Sequence, residues 1–183
     1  MSLASLRIVA RLLAVVVLAG LTAGCFQPMY AEHADGTPGL RDKLLGVELP
    51  PVDKPNASPE ARIGVEIRNA LAFKLYGNAT GTAPTHRLVL RFSTSRSSLI
   101  VDPNTGLPTS ENLGIDAQYN LIDIASNKSV MTGTTFSRVT YDMPGSYQRF
   151  ARSRAIRDAE DRAAQEIAEN IQTRLASFFY AGT

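Results

Sequence analysis

The sequence predicts an α+β domain, a two-layer sandwich in which a four-stranded, mostly antiparallel sheet carries two helices on one face. Three observations predict it. Apolar residues recur every three or four positions in two stretches, Ile63 to Leu75 and Phe150 to Phe178, as on the buried faces of helices. Between those stretches, segments alternate apolar and polar residues with the period of two that strands require. The resulting order is strand–helix–strand–strand–strand–helix, which leaves both helices to cover one face of the sheet.

An export signal precedes the domain. Arg7 and Arg11 lead into an uncharged apolar run, Leu12 to Leu21, which closes on small residues and then Cys25, the only cysteine of the protein. A positive start, a short apolar middle and a small-residue exit are the parts of a secretion signal. The run of about 10 residues is half of the roughly 20 that a spanning helix needs. Leu21-Thr22-Ala23-Gly24-Cys25 resembles a bacterial lipobox, with Thr22 where a large aliphatic residue is usual. A thiolate there is the nucleophile that takes the lipid. The expected product is a lipoprotein whose signal peptide, residues 1–24, is removed and whose Cys25 carries a diacylglyceryl group and an N-acyl chain such as palmitate. Phe26 follows the cysteine, where bacterial lipoproteins retained in the inner membrane have aspartate. The expected location is the periplasmic side of the outer membrane.

Removing residues 1–24 from the 183 leaves 159, enough for one domain with a core. Two of the 19 basic residues and none of the 17 acidic ones lie in the signal, so the mature chain has no net formal charge. That balance gives no reason to expect a nucleic-acid partner. Residues 25–42, with Gly36, Pro38 and Gly39, have the small and turn-forming composition of a tether, interrupted by the apolar island Phe26 to Tyr30. The domain is expected over 43–180.

Leu45, Val47 and Leu49 alternate as a first strand within 43–49, stopped by Pro50-Pro51. Ser58, Pro59 and Glu60 form a helix start, with a hydroxyl to cap, a proline at the first turn and a carboxylate at the positive end. Ile63, Ile67, Ala70, Leu71 and Leu75 give that helix its apolar face, and Gly77 ends it. Strands follow over 85–101 (Leu88, Leu90 and Phe92 on one face), 113–124 (Ile115, Ala117, Tyr119 and Leu121) and 130–141. Loop 102–108 and the turn Ala125-Ser126-Asn127-Lys128 connect them. The last helix, 147–179, places Phe150, Ile156, Ala159, Ala163, Ile167, Ile171, Leu175 and Phe178 on one face.

Catalytic signatures are missing. The sequence has no G-x-S-x-G, H-E-x-x-H, C-x-x-C or phosphate loop with lysine. His33 and His86 lack companions for a metal, and His86 reads as a surface residue. Asp158, Glu160, Asp161, Glu166 and Glu169 read as the solvated face of a long amphipathic helix rather than as acid–base pairs. The expectation is a protein that is not an enzyme, with no catalytic residue, no metal and no cofactor beyond the lipid on Cys25.

Several segments resemble the LPS-assembly lipoprotein LptE family: Tyr119-Asn120-Leu121-Ile122-Asp123, Ser129 to Thr134, Val139-Thr140-Tyr141-Asp142 and Asp158 to Ala168. The lipobox followed by Phe26-Gln27-Pro28-Met29-Tyr30 is similar to that family's mature start. The resemblance implies two helices on a four-strand sheet, no covalent chemistry, and a 1:1 partnership with the outer-membrane β-barrel LptD. It implies that the protein plugs this barrel, helps it assemble and contacts lipopolysaccharide on its way to the surface.

Lipopolysaccharide presents phosphates, which arginine and lysine recognise as charge-assisted partners. Arg87, Arg91 and Arg96 occur between residues 85 and 101 with no acid among them, as do Lys128 and Arg138 between 126 and 141. These five are the candidate phosphate contacts. Arg149, Arg152, Arg154 and Arg157 cluster where the last helix's dipole disfavours cations, which points to a partner. Polar residues 93–98 and loop 102–112 are the candidates to enter a barrel lumen, itself polar. The competing expectation is a free-standing periplasmic lipid- or solute-binding lipoprotein, a transporter accessory, which needs a concave apolar pocket.

Overall fold

The computed structural model of the chain describes residues 38–77, 82–143 and 148–181. The signal, Cys25, the apolar island and His33 lie outside the described residues. Residues from Leu40 onward form one compact unit, which carries the fold described here. Its elements are α1 (Leu40–Leu45), β1 (Val47–Glu48), α2 (Pro59–Tyr76), β2 (His86–Val101), β3 (Pro108–Asp123), β4 (Lys128–Asp142) and α3 (Arg149–Ala181).

The sheet runs in the order β1-β2-β3-β4. Strand β1 is parallel to β2, and the two hairpin pairs are antiparallel. The two-layer α+β expectation therefore holds, with one correction at its start. Only Val47 and Glu48 form the first strand, and the preceding residues are helical. Leu40 and Leu44, one helical turn apart, are both buried, and Lys43 Nζ donates to the Phe179 carbonyl at 3.2 Å. A window opening at Lys43 misses the Leu40 half of that pair, so the alternation at Leu45, Val47 and Leu49 dominates the reading.

Helix α2 begins as the sequence requires. Ser58 Oγ accepts from the Ala61 N–H at 3.0 Å, Pro59 occupies the first turn, and Gly77 caps the end at φ 58°. The β3–β4 turn is built by Asp123, whose carboxylate accepts from the Ser126 N–H and hydroxyl, while Asn127 takes a positive φ of 53°. Those hydrogen bonds, the Ser126 hydroxyl foremost, hold the Asp123 carboxyl below its usual range.

Alternation decides which side of the sheet faces the helices. The pairs Leu88–Leu121, Phe92–Ala117, Ile115–Ser137 and Leu113–Val139 share the inner face. Against them pack Ile63, Ile67 and Leu71 of α2 and Ala163, Ile167, Ile171 and Leu175 of α3, all buried. At about 1.5 Å per residue the 33-residue α3 extends roughly 50 Å, matching a 16-residue strand at about 3.3 Å per residue. One close approach fixes the packing in mid-sheet: the Tyr119 ring lies over Gly133, its cross-strand partner, where any β-carbon would overlap it.

Near the other end of the inner face, the Tyr141 hydroxyl donates to Glu111 Oε2 at 2.6 Å. Burial first, then that hydrogen bond and the Glu111 charge, push the Tyr141 phenol up to about 12 from 10.0. Burial also raises Tyr76 and Tyr119. Between these values the folded chain keeps a proton that the unfolded chain has lost, so stability is present below pH 10 and falls as pH rises toward 12. Tyr141→Phe is expected to flatten that loss. Denaturant midpoints at about pH 9 and about pH 11 check it, and an unchanged slope in the variant would refute this assignment.

Candidate ligand-binding surfaces

Among the described residues nothing covers much of the outer face of the sheet, where Arg91, Gln118, Thr134 and Phe136 are exposed. Register places Val89–Asn120–Thr132, Arg91–Gln118–Thr134 and Ser93–Asp116–Phe136 in successive rows across β2, β3 and β4. Two open grooves run along these rows, of about 450 and 660 Å³. Arg91 lines both, and among the described residues its guanidinium has no ion pair or hydrogen bond. Phe136 stands 63% exposed beside it in the smaller groove.

The five cations singled out in the sequence do not converge. Arg87 is paired with Glu48 at 2.8 Å, across the short β1–β2 ladder. Arg138 is committed more fully: Nη2 donates to both oxygens of Asp116 at 2.8 and 3.0 Å, and Nη1 to the Ile115 and Ser137 carbonyls. Its side chain crosses Gly114, whose missing β-carbon leaves the room, and its guanidinium lies 5.5 Å from the Phe136 ring centre. Lys128 is exposed at the start of β4, opposite Asp123. Arg96 occupies an inner-face position and points to the helices. Of the five, Arg91 and Lys128 are the two without a partner among the described residues.

Arg96 leads to a cluster that sequence reasoning missed. Its Nη2 meets Glu160 Oε1 at 2.9 Å, while Arg62 of α2 pairs with Glu160 Oε2. Glu160 is 1% exposed, so it does not belong to the solvated face of α3. The helical wheel gave the signal: Glu160 follows Ile156 and precedes Ala163 and Ala164 on the same stripe, which the structure buries. Asp158 does lie on the exposed side, bound to Arg162 one turn on at 2.8 Å. Glu166, though exposed, accepts from the fully buried Ser137 hydroxyl at 2.6 Å. His86 is not simply a surface residue, because its ring meets Phe179 edge-on at 5.1 Å.

The β2–β3 hairpin ends differently from its polar stem. Leu99, Ile100, Val101 and Leu107 are about half exposed at the tip, around a turn in which Asp102 accepts from the Asn104 N–H at 2.8 Å. Strand β3 begins at Pro108, so the expected loop 102–112 is a six-residue turn followed by strand.

The family profile described as LptE, lipopolysaccharide-assembly, matches residues 45–175, the body of this fold. The chain belongs to the LptE family. That membership places it in lipopolysaccharide assembly. The fold is shared with a candidate lipoprotein from Caulobacter crescentus CB15, at 24% identity and a TM-score of 0.60, covering 79% of this chain and 97% of that one. Two further structures match more distantly. Rare lipoprotein B from Shewanella oneidensis has 19% identity, a TM-score of 0.48 and coverage of 72% and 93%. An uncharacterised lipoprotein B from Nitrosomonas europaea has 13% identity, a TM-score of 0.48 and coverage of 74% and 83%. No curated protein matches the chain. Among the described residues no helix is long and apolar enough to cross a membrane.

Proposed function

We propose that this LptE-family chain is a non-enzymatic component of lipopolysaccharide assembly, lipidated at Cys25, that plugs an LptD-type β-barrel one to one and helps it assemble. The family match over residues 45–175 carries this reading. The packed interior supports it against a lipid-carrying cavity, because Ile63, Ile67, Ile115, Leu121, Ile167 and Ile171 fill the space between the layers. Contact with lipopolysaccharide phosphate falls to Arg91 and Lys128, whose charges have no partner among the described residues. Arg87, Arg96 and Arg138 would first have to leave Glu48, Glu160 and Asp116.

Gentle-detergent purification of the tagged, lipidated protein is expected to bring down a large β-barrel in stoichiometric amount. A protein that emerges alone would remove the plug reading. Cys25→Ala is expected to lose detergent partitioning while keeping its circular dichroism. Arg91→Glu is expected to weaken lipopolysaccharide binding by about tenfold, the loss of one charge-assisted pair, and Arg138→Glu by less. Equal losses in the two variants would argue against a dedicated role for Arg91.

A further inference from the structure

A second surface lies on the helical side of the sheet. Ala61, Arg62 and Val65 are one stripe of α2, continued by its cap Ser58, and Ser153, Ile156, Arg157 and Glu160 are one stripe of α3. The stripes face each other across an open groove of about 670 Å³, which Arg96 of β2 also lines. Three guanidiniums thus line the groove against a single carboxylate. That carboxylate, Glu160, is buried and occupied, one oxygen by Arg62 and the other by Arg96. Both arginines remain more than a third exposed, and each pairs through one terminal nitrogen, leaving further N–H groups of the fork unused. Arg157, exposed on the rim, has no ion pair or hydrogen bond among the described residues.

We propose that this groove is an oxyanion site, with Glu160 holding Arg62 and Arg96 in place and Arg157 closing on a phosphate group from the rim. A planar guanidinium matches two phosphate oxygens at once, and a pair of forks fixed by a buried carboxylate needs little reordering to present their remaining donors. Two uncompensated positive charges in one groove favour a phosphomonoester or diphosphate over a monovalent carboxylate. The α2 N-terminus opens beside the groove and adds partial positive charge, though the cluster of arginines carries the argument. The barrel reading is not required for this site, and Arg91 on the opposite face takes no part in it.

The test uses the full chain in non-ionic detergent, titrated with pyrophosphate and followed by phosphorus NMR. Saturable binding is expected, weakened at least about tenfold in Arg157→Gln and unchanged in Arg174→Gln, an exposed position of α3 outside the groove. Arg157 is exposed, so matched thermal unfolding of variant and parent shows that the fold is intact. A second arm compares mixed micelles containing phosphatidic acid with micelles containing phosphatidylcholine. Pyrophosphate binding identifies a site for the free anion. Binding to phosphatidic acid alone, with the same Arg157 dependence, identifies a lipid headgroup, and either result supports the proposal. No saturable binding in either arm, or binding that Arg157→Gln leaves untouched, overturns it. Loss in Arg91→Gln alone would assign phosphate to the outer face and overturn the groove without touching the family reading.

Discussion

Replacing both Arg62 and Arg96 by Met is expected to destabilise the domain by about 3–5 kcal/mol, the cost of leaving a buried charge without partners. Glu160 is 1% exposed, and these two guanidiniums are its partners on either oxygen. Each arginine is itself partly solvated, so the loss comes from the stranded carboxylate rather than from surface ion-pair energy. A third substitution separates the two sources. Adding Glu160→Leu to the double variant is expected to restore most of the stability, because a whole buried ion cluster is often replaceable by apolar side chains. Urea denaturation followed by circular dichroism gives both numbers. If the double variant is as stable as the parent, Glu160 is not held as the geometry indicates.

Ile167→Ala is expected to cost about 2–5 kcal/mol, as truncation of a fully buried isoleucine leaves a cavity between two rigid layers. Ile167 has no exposed surface and sits in the middle of α3, facing the sheet and α2. Phe150→Ala on the same helix is expected to change stability by less than about 0.5 kcal/mol. Phe150 is 89% exposed, although its spacing assigns it to the same apolar face. The groove between α2 and α3 begins at Ala57 and Ser58, just ahead of α2, which line it together with Ser153 and Ile156 of α3. Phe150 lies a turn beyond that meeting point. Comparable losses in the two variants would mean that the first turns of α3 are packed after all.

Periodicity made most of the fold legible. The inner-face residues Leu88, Phe92, Ile115, Ala117, Tyr119 and Leu121 are buried as alternation requires. The Ser58 cap and the Asn127 turn form where their side-chain chemistry places them. The misreadings share a cause. At Leu40–Leu45 a short helix is stabilised by contact with the distant end of α3, a partner 136 residues away that no local window includes. At the candidate site, counting arginines gave five cations without their counter-charges. Glu48, Asp116 and Glu160 reach Arg87, Arg138 and Arg96 from other elements, and pairing across elements leaves no trace in local composition.

By itself, the sequence determined the α+β order, the strand faces, the helix ends and membership of the LptE family, because each rests on short-range stereochemistry or on the order of local motifs. Tertiary structure alone decided which charges are free. Among the described residues Arg91 has no partner while Arg138 is bound four times over, and Glu160 is a buried anchor while Asp158 stays in water. The physical reason is that burial and ion pairing are properties of space between elements. A carboxylate two positions along a helix turns by about 200 degrees, from solvent into the core, without any change in composition.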